Sequence, residues 1–159
     1  MARSETKWLN SKEMRAWRSY IIASRRLLEA LDQDLAGHDL SMADYEVLAQ
    51  LSEAPGRRIR MSELAEISML SKSRLSHRIK VMESNGWVRR EACKEDKRGS
   101  WAVMTEKGMK AIVKAAPDHL NSVRTRFVDQ LSAKEQESLS QIFEHVQNSL
   151  RQEFKAEKS

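Results

Sequence analysis

A single cysteine, Cys93, stands in the whole chain, which excludes an internal disulfide and the multi-thiolate zinc sites and suits a reducing compartment. Long apolar runs are missing as well. None approaches the ~20 residues that cross a bilayer, and the first residues lack an apolar stretch of signal-peptide type, so the chain is expected in the cytoplasm and off membranes. Enzyme signatures are absent: there is no G-x-S-x-G elbow, no phosphate-cradling G-x-x-x-x-G-K, no H-E-x-x-H and no repeated C-x-x-C. His38, His77, His119 and His145 are scattered singly and bring no ligand set for zinc. Neither catalysis nor a metal or other cofactor is expected. No internal repeat or low-complexity tract is visible.

What is present is a soluble, helix-rich balance: 40% apolar and 32% charged residues in 159, enough for one compact core and not comfortably for two. The placement of charge says more than its total. Between Arg57 and Arg98 twelve Lys and Arg face six Asp and Glu, so this stretch carries +6 of a net +5 and the remainder sums to −1. Such a concentration favours a polyanion, with binding that weakens as salt rises through counterion release. Nucleic acid fits better than a membrane surface, because the stretch holds no basic amphipathic helix with a bulky aromatic face.

The basic stretch has an internal order. Met61 to Ser68 is a short amphipathic segment, with Ser62 as its expected cap and Leu64 and Ile67 facing inward. Met69 and Leu70 join it to a second helix, capped by Ser71 and ended near Asn85 and Gly86. That helix, Lys72 to Ser84 or Asn85, is about 20 Å long at 1.5 Å per residue. Turning ~100° per residue sets Leu75, Ile79 and Met82 on one face, Ser73, His77 and Lys80 opposite, and Arg74 and Arg78 on the flank. One face packs; the other can donate to the acceptors of a major groove. Next, Trp87–Cys93 and Ser100–Met104 read as two strands, with Lys94 to Gly99 as the tip of a hairpin that carries Lys97 and Arg98. A long basic side chain on such a finger reaches a narrow minor groove, and Asp96 is suited to pin the loop by pairing with Arg98 or backbone donors. The order helix, turn, helix, hairpin is that of a winged helix-turn-helix.

These residues resemble the DNA-binding domain of MarR-family bacterial transcriptional regulators: MSELAEIS, the helix SKSRLSHRIKVMESNGWV, the wing motif D-x-R as Asp96-Lys97-Arg98, and Met104-Thr105-Glu106-Lys107-Gly108 after the second strand. The wing most often reads D-R-R in that family, and Lys97 departs from it while Asp96 and Arg98 match. The pattern extends from about Leu35 to the C-terminus and is sharpest from Met61 to Gly108.

Outside this unit the chain reads as helices. Asn10 to Glu13 has capping-box spacing ahead of Met14, Trp17, Ile21, Leu28, Leu31 and Leu35, a stripe ended by Gly37. Ser41 with Asp44 opens a helix over Met42–Leu51, stopped before Pro55-Gly56. Thr105 can cap a helix with Met109, Ile112, Val113 and Ala116, which Pro117 is expected to kink or break before Leu120, Val123, Phe127 and Leu131. Ser132 with Glu135 opens a last helix with Leu139, Ile142, Phe143, Val146 and Leu150 on one face. Apolar stripes at both ends need a partner, within the chain or from a second copy. The resemblance implies a homodimer made by the terminal helices. The expected fold is mainly α with a small β-hairpin wing: one domain over 1–159, with a winged lobe at 38–104 and a helical dimerisation lobe from 8–36 and 105–155.

The expected function is sequence-specific binding of double-stranded DNA at an inverted-repeat operator, in the manner of a repressor. Base contacts fall to Ser73, Ser76, His77 and flanking Arg74 or Arg78, phosphate contacts to Lys72, Lys80 and Arg57 or Arg58, and minor-groove contact to the wing at Lys97 and Arg98. The resemblance also implies a small aromatic effector between the dimer helices and the winged lobe, which points to Trp17, Tyr20, Ile21, Met42, Tyr45, Met109 and Ile112, with Arg25 or His119 as carboxylate partners; the same residues also serve as plain core. Two readings stay open beside this one. A winged helix can dock a protein with no DNA role, and Cys93, among Arg89, Arg90, Lys94 and Lys97, is either an oxidant sensor at the base of the wing or an ordinary strand residue.

Overall fold

The computed structural model describes residues 6–93 and 99–156. The first helix, α1 (Ser11–Ala36), opens on a complete capping box, in which the Asn10 side chain accepts from the Lys12 and Glu13 N–H groups and Glu13 accepts from the Asn10 N–H. Gly37 ends it. Helix α2 (Met42–Glu53) repeats the device with Ser41 and Asp44, and Pro55–Arg57 then makes one 3-10 turn. Beyond it lie β1 (Arg58–Arg60), α3 (Met61–Ile67), α4 (Lys72–Ser84), β2 (Val88–Ala92) and β3 (Ser100–Met104). Helix α5 (Glu106–Arg126), a 3-10 turn at Val128–Gln130 and α6 (Ala133–Ala156) complete the chain. Contacts divide it into two compact units, one through His119 and one from Leu120.

The first unit is held by a continuous apolar core. Val47, Leu48 and Leu51 of α2, Leu64 of α3 and Leu75, Ile79 and Met82 of α4 are at most 1% exposed, and Leu35, Val88, Ala102, Met104, Ile112 and Ala115 join them. Burying such a side chain contributes on the order of 1.5–3 kcal/mol, so α4 is fixed to the unit by its three apolar residues. The sheet has the order β1-β3-β2, all antiparallel, with Val88 opposite Met104, Ala92 opposite Ser100 and Ile59 opposite Ala102.

Two glycines and a threonine lock the wing to α5. Gly86 takes φ 74° after α4, a left-handed conformation that glycine adopts without a Cβ clash. The Thr105 hydroxyl donates to the Gly86 carbonyl at 2.7 Å and accepts from the Gly108 N–H at 3.0 Å. Gly108 sits so close to the Trp87 carbonyl that an added Cβ would collide with backbone.

Several expectations are corrected. Strand β1 is a third strand not anticipated from the sequence. Helix α3 begins at Met61 after Arg60, so Ser62 lies inside its first turn rather than at its cap, and Ile67 is 42% exposed while Ala65 is buried. A seven-residue helix turns fewer side chains inward than its apolar pattern proposes, and Met69, at φ 50°, turns the chain immediately after it. Pro117 does not break α5, which continues through it to Arg126; the missing N–H removes one of many helix hydrogen bonds, a cost of ~3 kcal/mol that neighbouring turns absorb. The α1 stripe is buried only at its end: Leu31 and Leu35 are core, but Trp17 and Leu28 are half-exposed.

In the second unit, Ser132 and Glu135 form the expected capping box, the Glu135 carboxylate accepting from the Ser132 N–H and hydroxyl at 2.8 and 2.7 Å. These bonds hold the Glu135 carboxyl below its usual range. Phe127, Leu131, Leu139 and Phe143 line an apolar groove beside α6.

Candidate nucleic-acid interface

Helix α4 has two sides of opposite character. With Leu75, Ile79 and Met82 at 0% exposure, rotation leaves Lys72, Ser73, Arg74, His77 and Lys80 facing solvent. Ser71 caps the helix by accepting from the Arg74 N–H and lies 3.1 Å, hydroxyl to hydroxyl, from Ser73. Lys72, Arg74, His77 and Lys80 hold no ion pair with another described residue, so their donors are available to a ligand.

Two residues named from the sequence have other engagements. Arg78 is tied back to the start of α2, donating to the Ser41 hydroxyl at 3.2 Å and to the buried carboxylate of Asp44 at 3.3 Å. It braces α4 and is not a free base-reading side chain in this structure. Ser76 is half-buried beneath Arg90 of β2, whose guanidinium donates to the Ser76 carbonyl at 2.7 Å and hydroxyl at 3.3 Å. The same Arg90 pairs with Glu83 at 3.3 Å, so strand and helix are clamped at two points. These braces are tertiary, and no sequence spacing announces them.

Arg57 and Arg58, expected as phosphate anchors, also have partners within the chain. Arg57 pairs with Glu106 at 2.7 Å, and the guanidinium groups of Arg58 and Arg60 lie 4.8 and 5.1 Å from the centre of the Trp101 ring. Stacked cations on the sheet retain their charge, so the field persists while their donors are held in place. The wing tip expected to carry Asp96, Lys97 and Arg98 lies outside the described residues.

Beside the exposed face of α4 runs a cleft of about 350 Å³, lined by Ala43, Leu70, Ser73, Arg74, His77 and Arg78. Ala43, at the start of α2, and Leu70, in the turn before α4, are its apolar members. The sequence named its polar members but not Ala43 and Leu70, which are brought there only by packing.

The residues expected to hold an effector divide into two groups. Met42, Tyr45 and Met109 pack against the core and Ile112 is within it, whereas Trp17 and Tyr20 pair at 6.3 Å between ring centroids on the exposed side of α1, with Ile21 half-buried. Arg25 is exposed. Tyr45 lies against His119, with ring centroids 4.2 Å apart. Burial lowers the affinity of the His119 imidazole for a proton, partly offset by the Asp34 charge, and burial raises the pKa of the Tyr45 phenol. Nearby, His38 bonds to the Asp118 carboxylate at 2.8 Å. Cys93 is buried and its N–H is bonded to the Gly99 carbonyl.

Comparison with known proteins points one way. The model of the MarR family matches residues 38–99. The transcriptional regulator HosA of Escherichia coli is 34% identical over 110 residues, covering 69% of this chain and 79% of HosA. The crystal structure of AbsC, a MarR family transcriptional regulator from Streptomyces coelicolor, superposes with a TM-score of 0.90 at 44% identity, over 92% of this chain and 99% of AbsC. Sco3205, a MarR family regulator of the same organism crystallised in complex with DNA, gives a TM-score of 0.89 at 40% identity, over 91% of this chain and 92% of its own.

Proposed function

The chain belongs to the MarR family of DNA-binding transcriptional regulators, and from that premise we propose that two copies grip an inverted-repeat operator and repress transcription until a small aromatic ligand releases them. Each copy lays α4 in a major groove, with the two half-sites about one helical turn, ~34 Å, apart. Lys72, Ser73, Arg74, His77 and Lys80 meet the duplex, and Lys97 and Arg98 at the wing reach the flanking minor groove. Asp96 orders the wing loop. One observation carries the reading: Lys72, Ser73, Arg74, His77 and Lys80 lie exposed on one side of α4, the four basic ones without an ion pair among the described residues, while Leu75, Ile79 and Met82 are sealed in the core.

Pairing of two copies is supported by apolar surface that a single copy leaves in water. Ahead of α1, Trp8 is 84% exposed, and Trp17, Tyr20, Ile22 and Leu28 on α1 are also exposed; on α6, Ile142, Val146 and Leu150 form a four-residue-spaced exposed stripe. Stripes of this kind are buried in helical dimer interfaces. Release follows if an effector prefers a dimer whose recognition helices are wrongly spaced, and it shifts the balance only by its difference in affinity for the two forms. Trp17, Tyr20 and Ile21 of α1, Met42 and Tyr45 of α2, and Met109 and Ile112 of α5 are its proposed surroundings, with His119 beside Tyr45 as a partner for a carboxylate.

The test is selection of bound duplexes from fragmented genomic DNA, followed by the stoichiometry of the complex. An inverted repeat holding two chains is the expected product. A single chain on an asymmetric site, or no enrichment at all, would remove the paired operator from the reading.

A further inference from the structure

The cleft beside α4 is a chemical anomaly on its surface. Most of that face donates hydrogen bonds or carries positive charge, yet the cleft is lined mostly by apolar surface, with Ala43 and Leu70 beside Ser73, Arg74, His77 and Arg78. A basic surface selects a polyanion, so the occupant of the cleft should be an apolar group presented by a polyanion. On the major-groove edges of a duplex that group is the C5-methyl of thymine, which projects beside the O4 acceptor.

We propose that the cleft is a thymine-reading subsite. The methyl group enters between Ala43 and Leu70, and the Ser73 hydroxyl or the His77 ring donates to O4 of the same base or to the neighbouring purine. The cleft lies beside the brace already described: Arg78, drawn to Asp44 and Ser41, holds α4 against the start of α2. Arg78 is thus a positioning residue for the subsite, and Ala43 its specificity determinant. A larger residue at position 43 would take up part of the cleft. This inference rests on the duplex-binding reading above and names the base that such binding would favour.

The test begins with a duplex selected from a random-sequence pool by the full-length protein. Each thymine of the selected site is then replaced, one at a time, by deoxyuridine, which deletes only the methyl group. The expected result is one thymine in each half-site whose replacement weakens binding about three- to tenfold, the scale of one buried methyl and its packing. The Ala43→Leu variant, its fold checked by thermal melting, should bind thymine and deoxyuridine duplexes equally at that position. A selected duplex bound equally well after every replacement would overturn the subsite and leave the regulator reading standing. Unaltered methyl sensitivity in folded Ala43→Leu would also overturn it. Failure to enrich any duplex from the pool would overturn the DNA-binding reading itself, and the subsite with it. Should Ala43→Leu not fold, the deoxyuridine series on the unaltered protein decides alone.

Discussion

His77 and Arg78 are adjacent in the chain and separated by ~100° around α4, which gives them different work. His77 points to solvent; Arg78 reaches the buried carboxylate of Asp44, itself 6% exposed. His77→Ala is therefore expected to leave stability within ~0.5 kcal/mol while weakening binding to a selected duplex by about 1–3 kcal/mol and to random DNA by less. Equal losses on both duplexes would demote His77 to a positional contact. For Arg78→Ala the expectation is reversed in kind: thermal stability falls by roughly 1 kcal/mol, the partial exposure of Arg78 reducing what a fully buried pair would cost. A melting curve unchanged by Arg78→Ala would mean that the brace does not matter to the fold. The buried His119 gives a pH test. Its folded-state pKa is lowered, chiefly by burial, so the unfolded chain takes up the proton first as pH falls. Its contribution to stability is present above about pH 6.5 and is lost as pH drops from there through the folded-state pKa. The melting temperature of the unaltered protein should fall more steeply from about pH 7.5 to 5.5 than that of His119→Gln, and parallel profiles would contradict this.

At the scale of elements, the joint between wing and α5 is a close backbone approach, with Gly108 against the Trp87 carbonyl. Gly108→Ala places a methyl group against the Trp87 carbonyl, where neither backbone can yield without breaking the Thr105 bridge. We expect a loss of about 3 kcal/mol or more, read from chemical denaturation, against a loss of ~1 kcal/mol for Gly86→Ala. Near-equal values for the two would mean that α5 is free to shift. Sequence made most elements legible because local chemistry dictates them: the boundaries of α4 follow from Ser71 and Gly86, and the starts of α1, α2 and α6 from reciprocal capping pairs. It could not disclose β1, where three residues hold one apolar side chain between two arginines and only pairing with β3 makes them a strand. The exposed polar side of α4 was legible for a related reason, since helical rotation alone separates Leu75, Ile79 and Met82 from Ser73, His77 and Lys80. The braces of Arg78 and Arg90, and the meeting of Ala43 with Leu70 in the cleft, join residues far apart in sequence that no local pattern marks.

For the whole molecule, the decisive property is the concentration of positive charge in the stretch from Arg57 to Arg98, twelve Lys and Arg against six Asp and Glu. Ion pairs consume part of it, because Arg57, Arg78, Arg89 and Arg90 each meet a carboxylate. Lys72, Arg74 and Lys80 remain on the exposed side of α4, and the stacked Arg58 and Arg60 keep their charge on the sheet. The proposed function requires that a duplex be bound through phosphate charge and chosen through α4. The most direct measurement is therefore the affinity for a selected duplex and for a shuffled one, followed from about 50 to 200 mM salt. Both affinities are expected to fall steeply as salt rises, and the selected duplex to stay tighter by a factor of ~10³ or more. Equal affinity for the two duplexes, or affinity indifferent to salt, would rule out a DNA-reading α4 on a basic surface.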